Sequence, residues 1–144
     1  VFPHGPAFAV LADANAPWPT APGKDAGMRF RGYQLDSLKR PTLLYAFREI
    51  AVEDFLTNAE ADGKVSLYRT MKFSGPPLDG FHFRLAVGRL TPAGENAWRL
   101  DNALTLHVVA GGKPFIRGEG ARQELLVPVR IENSKAQLEI EYAW

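Results

Sequence analysis

The sequence predicts an all-β protein, a mostly antiparallel β-sandwich of about eight or nine strands, with an open β-barrel as the alternative. Three observations lead there. Most of the chain after residue 27 alternates apolar and polar residues with a period of two. Turn-forming residues fall between the alternating runs, where hairpins need them. Helical periodicity is poor throughout: the best helix candidate, VEDFLTNAEADG at residues 52–63, spaces its apolar residues badly for a 3.6-residue turn.

The elements follow in order. Residues 1–27 carry five prolines within the first 22 (Pro3, Pro6, Pro17, Pro19, Pro22), too many for a helix. They are expected to form an extended lead-in packed on one side of a β-sandwich domain spanning residues 28–144. The stretch lacks an initiator Met and a leader-like pattern, and the chain is expected to be a domain of a longer protein. In MRFRGYQLD, Met28 and Phe30 face one way and Arg29 and Arg31 the other. Gly32 then shifts the phase as a bulge would, so that Tyr33 and Leu35 continue the apolar face. Asp62-Gly63 separates two strands, and VSLYRTMKF after it sets Val65, Leu67, Met71 and Phe73 against Ser66, Tyr68, Thr70 and Lys72. GPPLDG makes a longer bend before Phe81, Phe83, Leu85 and Val87; Leu104, Leu106 and Val108 form the next stripe, ended by Gly111-Gly112. Leu125, Val127, Val129 and Ile131 precede a turn at Glu132-Asn133-Ser134, expected to close a last hairpin with Ala136, Leu138, Ile140, Tyr142 and Trp144.

Composition removes several functions. The formal charge is +1, from 17 basic and 16 acidic residues, so no long-range field draws in nucleic acid. RGYQL echoes one RNA-binding segment but lacks its further aromatics. With no cysteine there is no disulfide, thiolate metal site, cysteine nucleophile or covalently attached haem, and no run of apolar residues is long enough to be a transmembrane helix. No nucleophile elbow, phosphate loop or dinucleotide fingerprint is present, and no cofactor is implied.

Few residues suggest chemistry. His82 and His107 would approach a common ion only if their strands paired, and as outward-facing histidines they imply no metal site. Glu139 and Glu141 share a strand face, the pattern a sugar-active hydrolase would need, but outward acids are ordinarily solvated or paired with bases such as Arg130. No catalytic residue is assigned. Tyr68 and Trp98 are the candidates for an aromatic platform in a carbohydrate-binding module. Arginine outnumbers lysine eleven to six, and Arg29, Arg31, Arg69 and Arg84 are the candidate interface residues, since guanidinium suits bidentate pairing and stacking between surfaces.

GPAFAVLADANAPWP, GMRFRGYQLDSLKRPTLLYAF, VEDF and RQELLVPVRI running into LEIEYAW together resemble a β-rich accessory module of large secreted bacterial multidomain proteins. Those proteins carry sugar-dehydrogenase-like propeller and c-type cytochrome domains. The resemblance implies a periplasmic or secreted, non-catalytic docking domain beside redox or carbohydrate-processing neighbours, with neighbouring domains or subunits as partners. It transfers no catalytic residue.

Overall fold

A computed structural model describes residues 5–144. Twelve strands form two antiparallel layers: β1 (Phe8–Val10), β2 (Met28–Leu35), β3 (Pro41–Phe47), β4 (Ile50–Ala61), β5 (Lys64–Ser74), β6 (Phe81–Gly88), β7 (Leu90–Gly94), β8 (Ala97–Leu100), β9 (Leu104–Ala110), β10 (Phe115–Arg117), β11 (Gln123–Pro128) and β12 (Lys135–Ala143). The small sheet runs β1-β6-β11-β10 and the large sheet β2-β3-β4-β5-β12-β9-β8-β7. The layers are those of a β-sandwich; neither sheet closes into a barrel.

Local chemistry sets the turns. Asp62 and Gly63 both take positive φ, 53° and 72°, the two-residue geometry that matches the twist of paired strands, and β4 and β5 pair from Ala61↔Lys64 onward. The shift between Phe30 and Gly32 in the β2–β3 register is the expected bulge, with Gly32 at φ 114°.

One expectation is corrected, that of the last hairpin, and residues 52–61, whose helical spacing is poor, are strand as part of β4. Asp54 occupies an inward position between Val52 and Leu56 on that strand, and this polar interruption hides the period of two. The Asn133-Ser134 turn closes no hairpin within one sheet: β11 belongs to the small sheet, while β12 lies in the large one between β5 and β9. A single bridge, Glu132↔Lys135, flanks this turn as the chain crosses between layers.

The core lies between the sheets. Phe8 is fully buried, and its ring lies 5.2–6.1 Å from the rings of Tyr45, Phe47, Phe73, Phe81 and Phe83. The lead-in is therefore structural twice over. It contributes β1 to the small sheet, and beyond β1 it covers that sheet's far face, where Trp18 packs with Ala9, Leu11 and Leu126. Trp18 donates its indole N–H to the Pro6 carbonyl at 2.8 Å. Gly80 lets this segment pass closely: a Cβ there would lie 2.2 Å from the Leu11 carbonyl oxygen.

Candidate functional site

Four strands of three to eight residues cannot cover a sheet of eight strands, one of which is twelve residues long. The register locates what is left bare. On the inner face, one row runs Tyr33–Leu43–Asp54–Met71–Leu138, and the next runs Leu35–Pro41–Leu56–Arg69–Ile140. The far ends of both rows are buried: Met71, Leu138 and Ile140 are at most 1% exposed. Their near ends are not. Tyr33 is 61% exposed, Leu35 55%, Leu43 43% and Leu56 48%, with Phe30 beside them at 69%. An apolar corner of the large sheet thus overhangs the small sheet, on the face that elsewhere makes the core.

A cleft of about 480 Å³ opens where cover ends, lined by Pro41, Leu43, Leu56, Leu67, Asp54, Arg69 and Tyr142. Its floor is a polar cluster. Arg69 reaches Asp54 in a two-pronged pair, Nε to Oδ1 at 2.8 Å and Nη2 to Oδ2 at 2.6 Å. Its Nη1 donates to the Tyr142 hydroxyl at 3.1 Å, and the Tyr45 hydroxyl donates to Asp54 Oδ2 at 2.8 Å. The guanidinium also lies over the Phe83 ring, 5.2 Å from its centroid, so the small sheet's last core aromatic adjoins the floor. Asp54 and Arg69 are diagonal neighbours on β4 and β5, within reach of a long side chain. Their charges cancel, which makes the cleft an apolar trough with a neutral, fully paired base.

Burial, then the Asp54 carboxylate, pushes the Tyr45 hydroxyl pKa far above its usual value near 10. Burial pulls Arg69 toward losing its proton, but hydrogen bonds to Asp54 and the Tyr142 contact outweigh it and raise its pKa. The Tyr45 shift has a sign that can be tested. Above pH 10 the unfolded chain loses the tyrosine proton while the native state keeps it, so the native state binds more protons and stability falls as pH rises. This contribution is complete below pH 10 and diminishes by about 2 kcal/mol by about pH 11.5. Urea denaturation across that range is expected to show the decline, and Tyr45→Phe to flatten most of it.

The arginines named from sequence occupy three places. Arg29 and Arg31 are exposed on β2, at the edge of the large sheet. Arg69 is in the cleft floor. Arg84 lies behind the small sheet: it pairs with Glu124 at 3.2 Å and stacks over Trp18 at 5.0 Å. Arg117 joins the same carboxylate at 3.0 Å and donates to the carbonyls of Ala14 and Ala16, so this group clasps the lead-in.

The aromatic pair does not come together. Tyr68 sits opposite Glu141, which sits opposite His107, which sits opposite Ala97, all on the outer face. Trp98 follows Ala97 and so faces inward, half-buried against the cluster of Ala86, Leu90, Leu106 and Leu125. Desolvation, then Glu139 and Glu141, raises the Tyr68 pKa. Those two glutamates share the outer face with Tyr68 and line no part of the cleft. Arg130 pairs with Glu132 at 2.9 Å, not with them. His82 and His107 lie in different sheets, and among the described residues no group of three or more His, Cys, Asp or Glu could hold a metal ion. Trp144, expected in the core-facing stripe, is 73% exposed, because β12 ends at Ala143 and nothing opposes the last residue.

Together these features define a two-layer antiparallel sandwich with one apolar corner left uncovered and a neutral polar cluster beneath it. No protein-family model matches the chain, and no curated protein or solved structure is significantly similar to it. Among the described residues no helix is long and apolar enough to cross a membrane.

Proposed function

We propose that this chain is a non-catalytic docking domain whose partner surface is the overhanging corner of the large sheet. One observation carries the reading: five large apolar side chains, contiguous on the core-forming face, are 43–69% exposed. Phe30 and Tyr33 alone leave on the order of 250 Å² open, taking about 200 Å² for each full side chain. With Leu35, Leu43 and Leu56 the patch reaches roughly 500 Å², the size of the largest patch a monomer carries, which is often a functional one. Apolar area of that size costs free energy in water and is recovered on contact with another surface. The resemblance to an accessory module of exported redox or carbohydrate-processing proteins supports a neighbouring domain or subunit as that surface, in the periplasm or outside the cell.

The carbohydrate-binding alternative has less support. Tyr68 and Trp98 stand on opposite faces of one sheet and cannot stack the same sugar ring. A hydrolase would place its carboxylate pair in a cleft, whereas the one acid in the cleft, Asp54, is tied to Arg69 and Tyr45.

The native size of the particle tests the docking reading. In extract from its source, the chain is expected to run in an assembly, or within a longer polypeptide, well above the 15.9 kDa of this chain. Leu43→Asp with Leu56→Asp should release a separate subunit, or open a covalent neighbour to protease, while leaving the melting temperature within a few degrees. A free 15.9 kDa monomer, unaffected by the substitutions, would refute docking.

A further inference from the structure

The edge of the large sheet beside this corner has chemistry of its own. β2 ends the sheet, paired only with β3, and six of its eight residues are exposed. One side of an edge strand presents unpaired backbone N–H and C=O groups, a template for another strand. At about 3.4 Å per residue, eight residues offer roughly 27 Å of it. Phe30, Tyr33 and Leu35 lie on the inner face of this strand, Arg29 lies on the outer face opposite Ala46, and Arg31, the extra residue of the bulge, is exposed beside it. No ion pair among the described residues involves either arginine.

Resting on the docking reading, we infer that the β2 edge accepts an added strand from the partner, one with acidic side chains on its outer face and apolar side chains on its inner face. The inner side chains would extend the row begun by Phe30, Tyr33 and Leu35 and bury it. The outer acids would neutralise Arg29 and Arg31, at the spacing that cross-strand pairs require. Charge selects this occupant over a second copy of the chain. Full-length antiparallel pairing of β2 with itself sets Arg31 opposite Gly32, beside the other copy's Arg31. That gathers four guanidinium groups with no acid among them. The bulge at Gly32 further bends the edge away from a flat self-pairing partner. An acidic strand removes the repulsion and keeps the apolar contact, which is the usual division between backbone affinity and side-chain selectivity in strand addition.

Two blocked nine-residue peptides, one alternating Glu with Val and the other Lys with Val, provide the probe. With the 144-residue chain at low salt, the Glu peptide is expected to bind at least about tenfold more tightly than the Lys peptide, and this preference to shrink at about 0.5 M salt. Amide exchange should slow in residues 29–35 and nowhere on the β7 edge. Arg29→Glu with Arg31→Glu, both exposed, should reverse the preference with the melt unchanged. Equal binding of the two peptides, no binding of either, or slowing confined to β3 and β4 would overturn strand addition. None of these results touches the docking reading, which falls if the native chain is a free monomer or if the corner is bare in the native assembly.

Discussion

Phe8→Ala is expected to remove about 4 kcal/mol of stability, near the upper end for an aromatic truncated in a packed core. The reason is its place at the centre of the sandwich. Phe8 is 0% exposed and touches aromatic rings from both sheets, Phe81 and Phe83 on one side and Tyr45, Phe47 and Phe73 on the other. A cavity there would collapse only in part, because the rings that line it are fixed in two separate sheets. A domain of this size holds about 5–15 kcal/mol in total, so the variant should unfold at markedly lower urea. Equilibrium urea unfolding checks this. A loss below about 1 kcal/mol would mean that the lead-in merely leans on the fold and contributes little to its core.

The second large effect concerns the cleft floor. Asp54→Ala leaves the Arg69 guanidinium, 23% exposed, without its counter-ion, and should cost about 3 kcal/mol, the lower end for breaking a buried pair. Replacing both partners, Asp54→Leu with Arg69→Met, removes both charges and fills the same space with apolar groups. That variant should regain most of the loss, since apolar replacement of a buried pair is often neutral. In a cycle closed with the single variants Asp54→Leu and Arg69→Met, the two losses should therefore fall short of additivity by at least about 2 kcal/mol. The prediction separates a paired structural floor from two independent polar side chains, for which the two losses would simply add.

Much of the architecture was readable in the residues, and the parts that were not share a cause. The β2 bulge and the Asp62-Gly63 turn follow from local backbone chemistry, in which glycine or a short polar residue meets a positive φ. The alternation of β5 follows from burial on one face, but that of β6 holds only as far as Arg84: a bulge at Leu85 shifts the phase, so that Ala86, not Val87, is buried opposite Leu125 and Val87 falls opposite Glu124. The location of β12 did not follow, because which sheet a strand joins is decided by long-range pairing with β5 and β9. Asp54 misled in an informative way. It holds a core-phase position on β4, and Arg69 holds one on β5 between Leu67 and Met71. Two opposite charges in the apolar phase of successive strands are the sequence signal for a buried pair, and taking Arg69 as a candidate interface residue passes over it. The bare corner had no local signal. Phe30, Leu43 and Leu56 carry the same inward pattern as Phe73 or Leu138, and only the difference in size between the sheets separates the covered from the uncovered.

The most direct measurement is oxidative footprinting of the corner in the assembly isolated from the native source, compared with the isolated 144-residue chain. If the corner is the docking surface, labelling of Phe30, Tyr33, Leu43 and Leu56 should fall several-fold in the assembly, while Tyr68 on the outer face is labelled equally in both. Equal labelling of the corner in the two states would contradict the docking role.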